Sequence, residues 1–265
     1  MIYECLNPGW NDWPTAFPRL QANLLEGAAA AEARYVSFEN TWMYGRIHGR
    51  PLTEDLPHAP EGPNAAARAH MAEALLEAHR AGRVRATMGR ASELFGPAVF
   101  GSLMGERVFP PALAGKPATV AGDPDTPHTY TYVPDLGRFL VTLGEREEAL
   151  GRAWHLPSPQ TVTTREFLEM VFADAGTRPR IRRLPKFAVT TIGLLNPRLR
   201  GAAEVVYQYE EPFIVDHSRF QQVFGGEATP LRDAIRATVA WFREHGSPSH
   251  RRRPSQEADR TSEGS

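Results

Sequence analysis

Arg34-Tyr35-Val36-Ser37-Phe38 is a short run with strand character, and what precedes it decides how it is used. Met1-Ile2-Tyr3-Glu4-Cys5-Leu6 is also strand-like, and Asn7-Pro8-Gly9 ends it with turn residues. Between the two lies Thr15 to Ala33. There Phe17, Leu20, Leu24 and Leu25 recur at spacings of three and four, and alanines from Ala28 complete one apolar face. Strand, helix and strand with tight connections make a βαβ unit, which implies a parallel sheet and an α/β fold.

The alternation continues outward. Pro51 to Pro63 reads as a surface loop, Ala65 to Ala81 as a second helix burying Met71, Leu75, Leu76 and His79, and Arg83 to Met88 as a third strand. A helical stretch is expected around Val99 to Val108, with strands at Ala118 to Ala121 and His128 to Val133. Asp135 is placed to cap a helix through Leu143, and Ala153 to Leu156 forms a short strand. Thr163 and Glu166 have capping-box spacing for a helix to Ala175. Strand Ile181 to Leu184, a helical region from Lys186 into Tyr209, strand Phe213 to Val215 and a helix from Leu231 to Glu244 close the fold. Residues 247–265 are polar without apolar period and are expected to be a disordered tail.

Of 265 residues, 42 % are hydrophobic and 23 % charged, with a net charge of −1. That balance suits a soluble globular protein and argues against nucleic acid or an anionic membrane as partner. Cys5, the single cysteine, excludes an internal disulfide or thiolate cluster and fits a reducing cytoplasm. The longest apolar run, Phe187 to Leu195, is too short to span a membrane. No His-x-x-x-His pair or acidic triplet suggests a metal.

Several segments in order resemble the nucleotide-sugar epimerase/dehydratase family, the extended short-chain dehydrogenases. They are Phe38 to Gly45, Leu52-Thr53-Glu54-Asp55, Arg90 to Pro97, Tyr130 to Asp135, and Thr238 to Phe242. The likeness runs from Met1 to about Gly246. It implies a partial Rossmann-like doubly wound parallel sheet over 1–246, with a small substrate lobe mainly at 98–130 and 155–230. It also implies NAD or NADP as cofactor, a small-molecule substrate such as a nucleotide-sugar, and room for a homo-oligomer. The family's first strands and its Gly-x-x-Gly-x-x-Gly turn have no counterpart: no such glycine triplet occurs in the chain, and strand Met1 to Leu6 matches the family's fourth. The first βαβ units, about 30 residues each, are therefore expected to be missing.

By the same resemblance, Asn7 and Pro8 lie beside the cofactor ribose and Ser92 beside the nicotinamide. Tyr44, Arg90, His128 and Tyr130 become candidates for substrate contact, although Arg90 suits a structural ion pair equally and His128 and Tyr130 an aromatic cluster. The family's catalytic serine, tyrosine and lysine are replaced. Asn40 falls in the serine place with Thr41 adjacent, where Thr41 suits a bond to a substrate hydroxyl or an ordinary strand-end turn equally; the Tyr and Lys places fall on Ala65 and Ala69, or one register over on Asn64 and Arg68. Arg68 could fix an anion but not cycle a proton. No tyrosine has a lysine four residues later, since the only lysines are Lys116 and Lys186. The expectation is an epimerase/dehydratase-like oxidoreductase with impaired or altered catalysis; the alternative is a non-catalytic ligand-sensing or partner-binding protein on the same scaffold. A Ser92, His128, Asp135 hydrolase triad lacks the Gly-x-Ser-x-Gly elbow it would need.

Overall fold

The computed structural model describes residues 1–195 and 204–246. Its first part alternates strand and helix: β1 (Ile2–Glu4), α1 (Trp13–Ala30), β2 (Arg34–Glu39), α2 (Pro63–Arg80) and β3 (Arg85–Arg90). Shorter elements follow: β4 (Glu93–Phe95), α3 (Phe109–Leu113), β5 (Ala118–Ala121), β6 (Pro127–His128), β7 (Tyr130–Tyr132) and α4 (Val133–Glu145). Then come β8 (Ala153–His155), β9 (Val162–Thr163), α5 (Thr164–Ala175), β10 (Ile181–Leu184), α6 (Lys186–Leu195), α7 (Ser218–Phe224) and α8 (Leu231–His245).

Strands β1, β2, β3 and β8 form one sheet in that order, all parallel. Ile2 lies opposite Tyr35 and Glu4 opposite Ser37, the pairing the βαβ reading requires. Adjacent residues of β2 face opposite sides of the sheet. Tyr35 packs with Ala72 and Leu75 of α2, and Val36 with Phe139 and Leu140 of α4. Helices therefore cover both faces. Alanines along α2 let α1 lie close, and Gly89 serves the same end for α4. A Cβ on Gly89 would stand 2.8 Å from Leu140 Cδ2 and 3.0 Å from Leu156 Cδ1.

A second core forms where α3, α5 and α8 meet over the parallel pair β5 and β10. Phe109 and Phe242 stack there with ring centroids 5.3 Å apart. The capping box of α5 is present: Glu166 N donates to Thr163 Oγ1 at 3.1 Å, and Thr163 N donates to Glu166 Oε2 at 2.8 Å. No described helix is long and apolar enough to cross a membrane.

Four local expectations are corrected. No helix forms at Val99 to Val108; turns occupy that stretch, and helix is confined to Phe109–Leu113. The chain folds back so tightly at Gly105 that a Cβ would fall on the Val99 carbonyl oxygen, while Pro110 and Pro111 favour a helical start just beyond. Asp135 is not the cap of α4, which begins two residues earlier after Tyr132; its carboxylate instead accepts Thr229 N at 2.7 Å and Thr229 Oγ1 at 2.9 Å. His128 to Val133 is broken at Thr129, so β6 pairs antiparallel with β9 and β7 pairs parallel with β4. Phe213 to Val215 forms only isolated bridges, to His128 and Leu52. Of the helical region expected from Lys186 into Tyr209, α6 and a 3-10 turn at Val206–Tyr209 are seen; residues 196–203 and the expected tail 247–265 lie outside the described residues.

Candidate functional site

The carboxyl ends of β1, β2 and β3 open onto a cleft of about 540 Å³. Asn7 follows β1, Asn40 follows β2 and Ser92 follows β3, and all three line it. Parallel strands splay their loops apart at this end, which is where such sheets bind ligands. The walls are mainly apolar, with six aromatic side chains, Trp10, Trp13, Phe17, Phe38, Trp42 and Phe100, beside aliphatic ones such as Leu94, Leu136 and Leu140. Trp13 stacks on Trp42 with centroids 5.0 Å apart, and Trp10 meets Trp42 edge-on at 5.6 Å. The Trp13 indole N–H donates to Asn7 Oδ1 at 3.2 Å and to the Pro8 carbonyl at 3.0 Å. Asn7 and Pro8 thus hold an aromatic wall, and Pro8 itself is not part of the lining.

Arg68, from the second turn of α2, also lines the cleft while being 2 % exposed. Nη2 donates to the Phe38 carbonyl at 3.0 Å, but Nε and Nη1 have no hydrogen-bond partner. The guanidinium carbon sits 4.7 Å from the Phe17 ring centre and 6.0 Å from that of Trp13. Behind it Glu4 is sealed between strands; its Oε2 accepts Ser37 Oγ at 2.8 Å and Tyr35 Oη at 3.2 Å, and its Oε1 is unpaired. Burial pushes the Glu4 carboxyl up, opposed by the charge of Arg68 and the bond from Ser37.

Tyr44 and Arg90 are not in the cleft lining. They belong to a buried chain of bonds starting at Glu39. Arg90 Nε donates to Glu39 Oε2 at 2.9 Å, and Arg90 Nη1 donates to Tyr44 Oη at 2.5 Å. His155 Nδ1 bonds the Asp216 carbonyl at 3.0 Å, so Nδ1 carries the hydrogen and Nε2 accepts from Tyr44 Oη at 3.0 Å. Burial drives the His155 pKa down to about 3, helped by the charge of Arg90. The Tyr44 phenol is pushed up by burial. Of the two readings open for Arg90, its geometry is that of an ion pair.

His128 is likewise held in packing. It stacks on Tyr209 with centroids 4.5 Å apart and lies 5.4 Å from Phe213. Its Nδ1 donates to the Gln208 carbonyl at 3.1 Å and its Nε2 lies 3.5 Å from Ser92 Oγ. Burial brings its pKa to about 4. The Tyr130 hydroxyl bonds Thr164 Oγ1 at 2.7 Å. These two residues make an aromatic cluster next to the cleft. Thr41 is fully buried before a 3-10 turn (Trp42–Tyr44), outside the cleft lining, while Asn40 Oδ1 accepts the Trp42 N–H at 3.1 Å.

Asn7, Asn40, Arg68 and Ser92 thus share one cleft; Pro8, Thr41, Tyr44, Arg90, His128 and Tyr130 do not enter it. Sequence reasoning missed the three cleft tryptophans, of five in the chain; their concentration near the first two strand ends was the available signal. It also missed Glu93. This lining carboxylate accepts Ser102 Oγ, Leu103 N at 3.0 Å and Tyr209 Oη at 2.9 Å, pinning the wall from Val99 to Leu103. Burial pushes its carboxyl up. Among the described residues, no group of three or more His, Cys, Asp or Glu side chains could hold a metal.

The parallel sheet covered on both faces, with a cleft at its carboxyl ends, defines a protein of the Rossmann-like dinucleotide-fold class. The chain belongs to the NAD dependent epimerase/dehydratase family, whose profile matches residues 18–156. A dTDP-glucose 4,6-dehydratase from Streptomyces griseus is 24 % identical over 219 residues, covering 81 % of this chain and 60 % of that protein. The chain therefore spans about 60 % of the length of that curated relative. Among solved structures, the dTDP-glucose 4,6-dehydratase DesIV of Streptomyces venezuelae, with NAD bound, superposes with a TM-score of 0.71 at 18 % identity over 91 % of this chain and 72 % of that one. UDP-glucuronic acid 4-epimerase from Bacillus cereus, with UDP-glucuronic acid and NAD, gives 0.70 at 16 % identity over 90 % and 73 %.

Proposed function

We propose that the chain is an epimerase/dehydratase-like oxidoreductase that binds NAD or NADP and a nucleotide-sugar or similar small hydroxylated substrate, with its proton-transfer step impaired or altered. One observation carries this reading. Among the described residues lining the cleft there is no tyrosine, lysine or histidine, and the buried Arg68 faces the space instead.

The cleft suits the nicotinamide end of such a cofactor: a largely apolar space with six aromatic residues in its walls, Asn7, Asn40 and Ser92 at strand ends, and unpaired guanidinium N–H groups at Arg68. It does not offer a glycine-rich turn for the pyrophosphate, since no such triplet occurs in the sequence. A bound cofactor supplies hydride exchange with a hydroxyl-bearing carbon. The chain's own part is to exclude water with its tryptophans and to present a fixed positive charge. A guanidinium orients an anion or hydroxyl but does not shuttle a proton, and the Tyr44 phenol is held between Arg90 and His155.

Titration with NADH and NADPH, followed by fluorescence of the reduced cofactor, tests the reading. Saturable binding with turnover of dTDP-glucose far below a dehydratase containing the Tyr-x-x-x-Lys pair is expected. Absence of saturable binding removes the dinucleotide. Binding with no turnover of any sugar nucleotide favours the second reading, a ligand-binding protein without chemistry, which the proton-inert Arg68 also supports.

A further inference from the structure

We propose that the cleft accommodates a flat apolar ring bearing a carboxylate, with the carboxylate held by Arg68 and the ring lying among Trp10, Trp13 and Trp42. This goes beyond the cofactor and sugar reading and does not rest on it.

The argument begins with charge. Arg68 is a buried cation that feels the charge of Glu4 without bonding to it, and two of its three nitrogens have no hydrogen-bond partner. An unpaired buried charge is strongly unfavourable, so a site that retains one is poised for an anion. Glu4 does not compensate fully. It bonds Ser37 and Tyr35 rather than Arg68, and burial favours its neutral form. The other carboxylate in the lining, Glu93, is engaged by Ser102, Leu103 and Tyr209. Of the charged groups lining the cleft, Arg68 is thus the one left with unpaired hydrogen-bonding atoms, and those atoms are donors.

Shape supplies the rest. Arg68 lies over the ring of Phe17 and near that of Trp13, which leaves the plane of its guanidinium fixed beside aromatic surface. A planar fork of N–H groups matches a carboxylate, and the adjoining indoles favour a flat ring over a hydrated sugar. Ring and anion must therefore sit next to each other in the ligand.

The test uses the full chain, 2-naphthoate and its uncharged counterpart 2-naphthamide, with calorimetric titration. Naphthoate is expected to bind saturably and about tenfold or more tighter than the amide, the ratio that 1.4 kcal/mol supplies. In Arg68→Met that preference should vanish. Equal affinities, no saturable binding of either compound, or a preference that survives in Arg68→Met overturns the proposal. The carboxylate–amide comparison on the unaltered protein stands even if the variant folds poorly. A parallel NADH titration separates the two readings: NADH binding without naphthoate preference sinks this one alone, and the converse sinks the dinucleotide alone.

Discussion

Glu39 and Arg90 are register partners across β2 and β3, and their side chains form an ion pair at 2.9 Å that is 1 % and 2 % exposed. Replacing one partner leaves the other charged and unpaired inside the sheet. Glu39→Gln is expected to lower stability by about 3–5 kcal/mol. The paired replacement Glu39→Leu with Arg90→Met should be much milder than either single change. Urea unfolding of the unaltered protein, Glu39→Gln, Glu39→Leu, Arg90→Met and the paired variant checks both; a Glu39→Gln loss below about 1 kcal/mol, the range of exposed pairs, would show that the pair is not sealed.

Gly45 follows the Trp42–Tyr44 turn at φ +63°, and a Cβ there would fall on the Ala59 carbonyl oxygen. Gly45→Ala therefore combines a left-handed backbone with a clash against main chain. A loss of about 1–3 kcal/mol or more is expected, read as a fall in the urea midpoint. Gly82→Ala, with no atom near its Cβ position at φ +69°, is the control that carries the backbone strain alone.

His128 and His155 are held neutral, with pKa values near 4 and 3 against an ordinary 6.5. Below 6.5 the unfolded chain takes up protons that the folded chain refuses, so stability must fall as pH drops through 6.5 and keep falling towards 4 and 3. Denaturant titrations from pH 7 to pH 4 should show that decline, and His155→Gln should make it shallower. A decline of unchanged slope in the variant would remove His155 from the account.

Glu4 behaves oppositely. Burial raises its carboxyl, so the folded state retains a proton that the unfolded state releases. Its contribution is complete at pH below the ordinary carboxylate range and is lost as pH rises through its folded value. Glu4→Gln is expected to stabilise the protein at pH 7 and to have little effect at pH 4; destabilisation at pH 7 would mean that the charged form is preferred.

Thr163→Ala removes the side-chain half of the α5 capping box and should cost about 1 kcal/mol. Thermal melting against a Ser substitution, which retains the cap, checks it.

The sheet was legible because its signals are local. Phe17, Leu24 and the alanines of α1 announce a helix between two short strands, and only parallel pairing accommodates that order. Val99 to Val108 misled because its apolar residues suit a helix, whereas the fold-back at Gly105 depends on backbone packing that no periodicity encodes. Half of the site was equally hidden. Tyr44 meets His155 across 111 positions, and that contact, rather than residue type, takes the phenol out of the cleft. Arg68 could be placed on α2 from sequence, but its burial beneath Phe17 and its unpaired nitrogens arise only when α1 and α2 pack together.

The stacked indoles of Trp13 and Trp42, with Trp10 edge-on, give the protein an optical property of its own. Only Trp154, within the sheet, and Trp241, on α8, lie apart from them. Indole emission overlaps the absorption of reduced nicotinamide, so occupancy of the cleft by such a ring would dim the ultraviolet glow of the molecule and transfer its energy to the visitor.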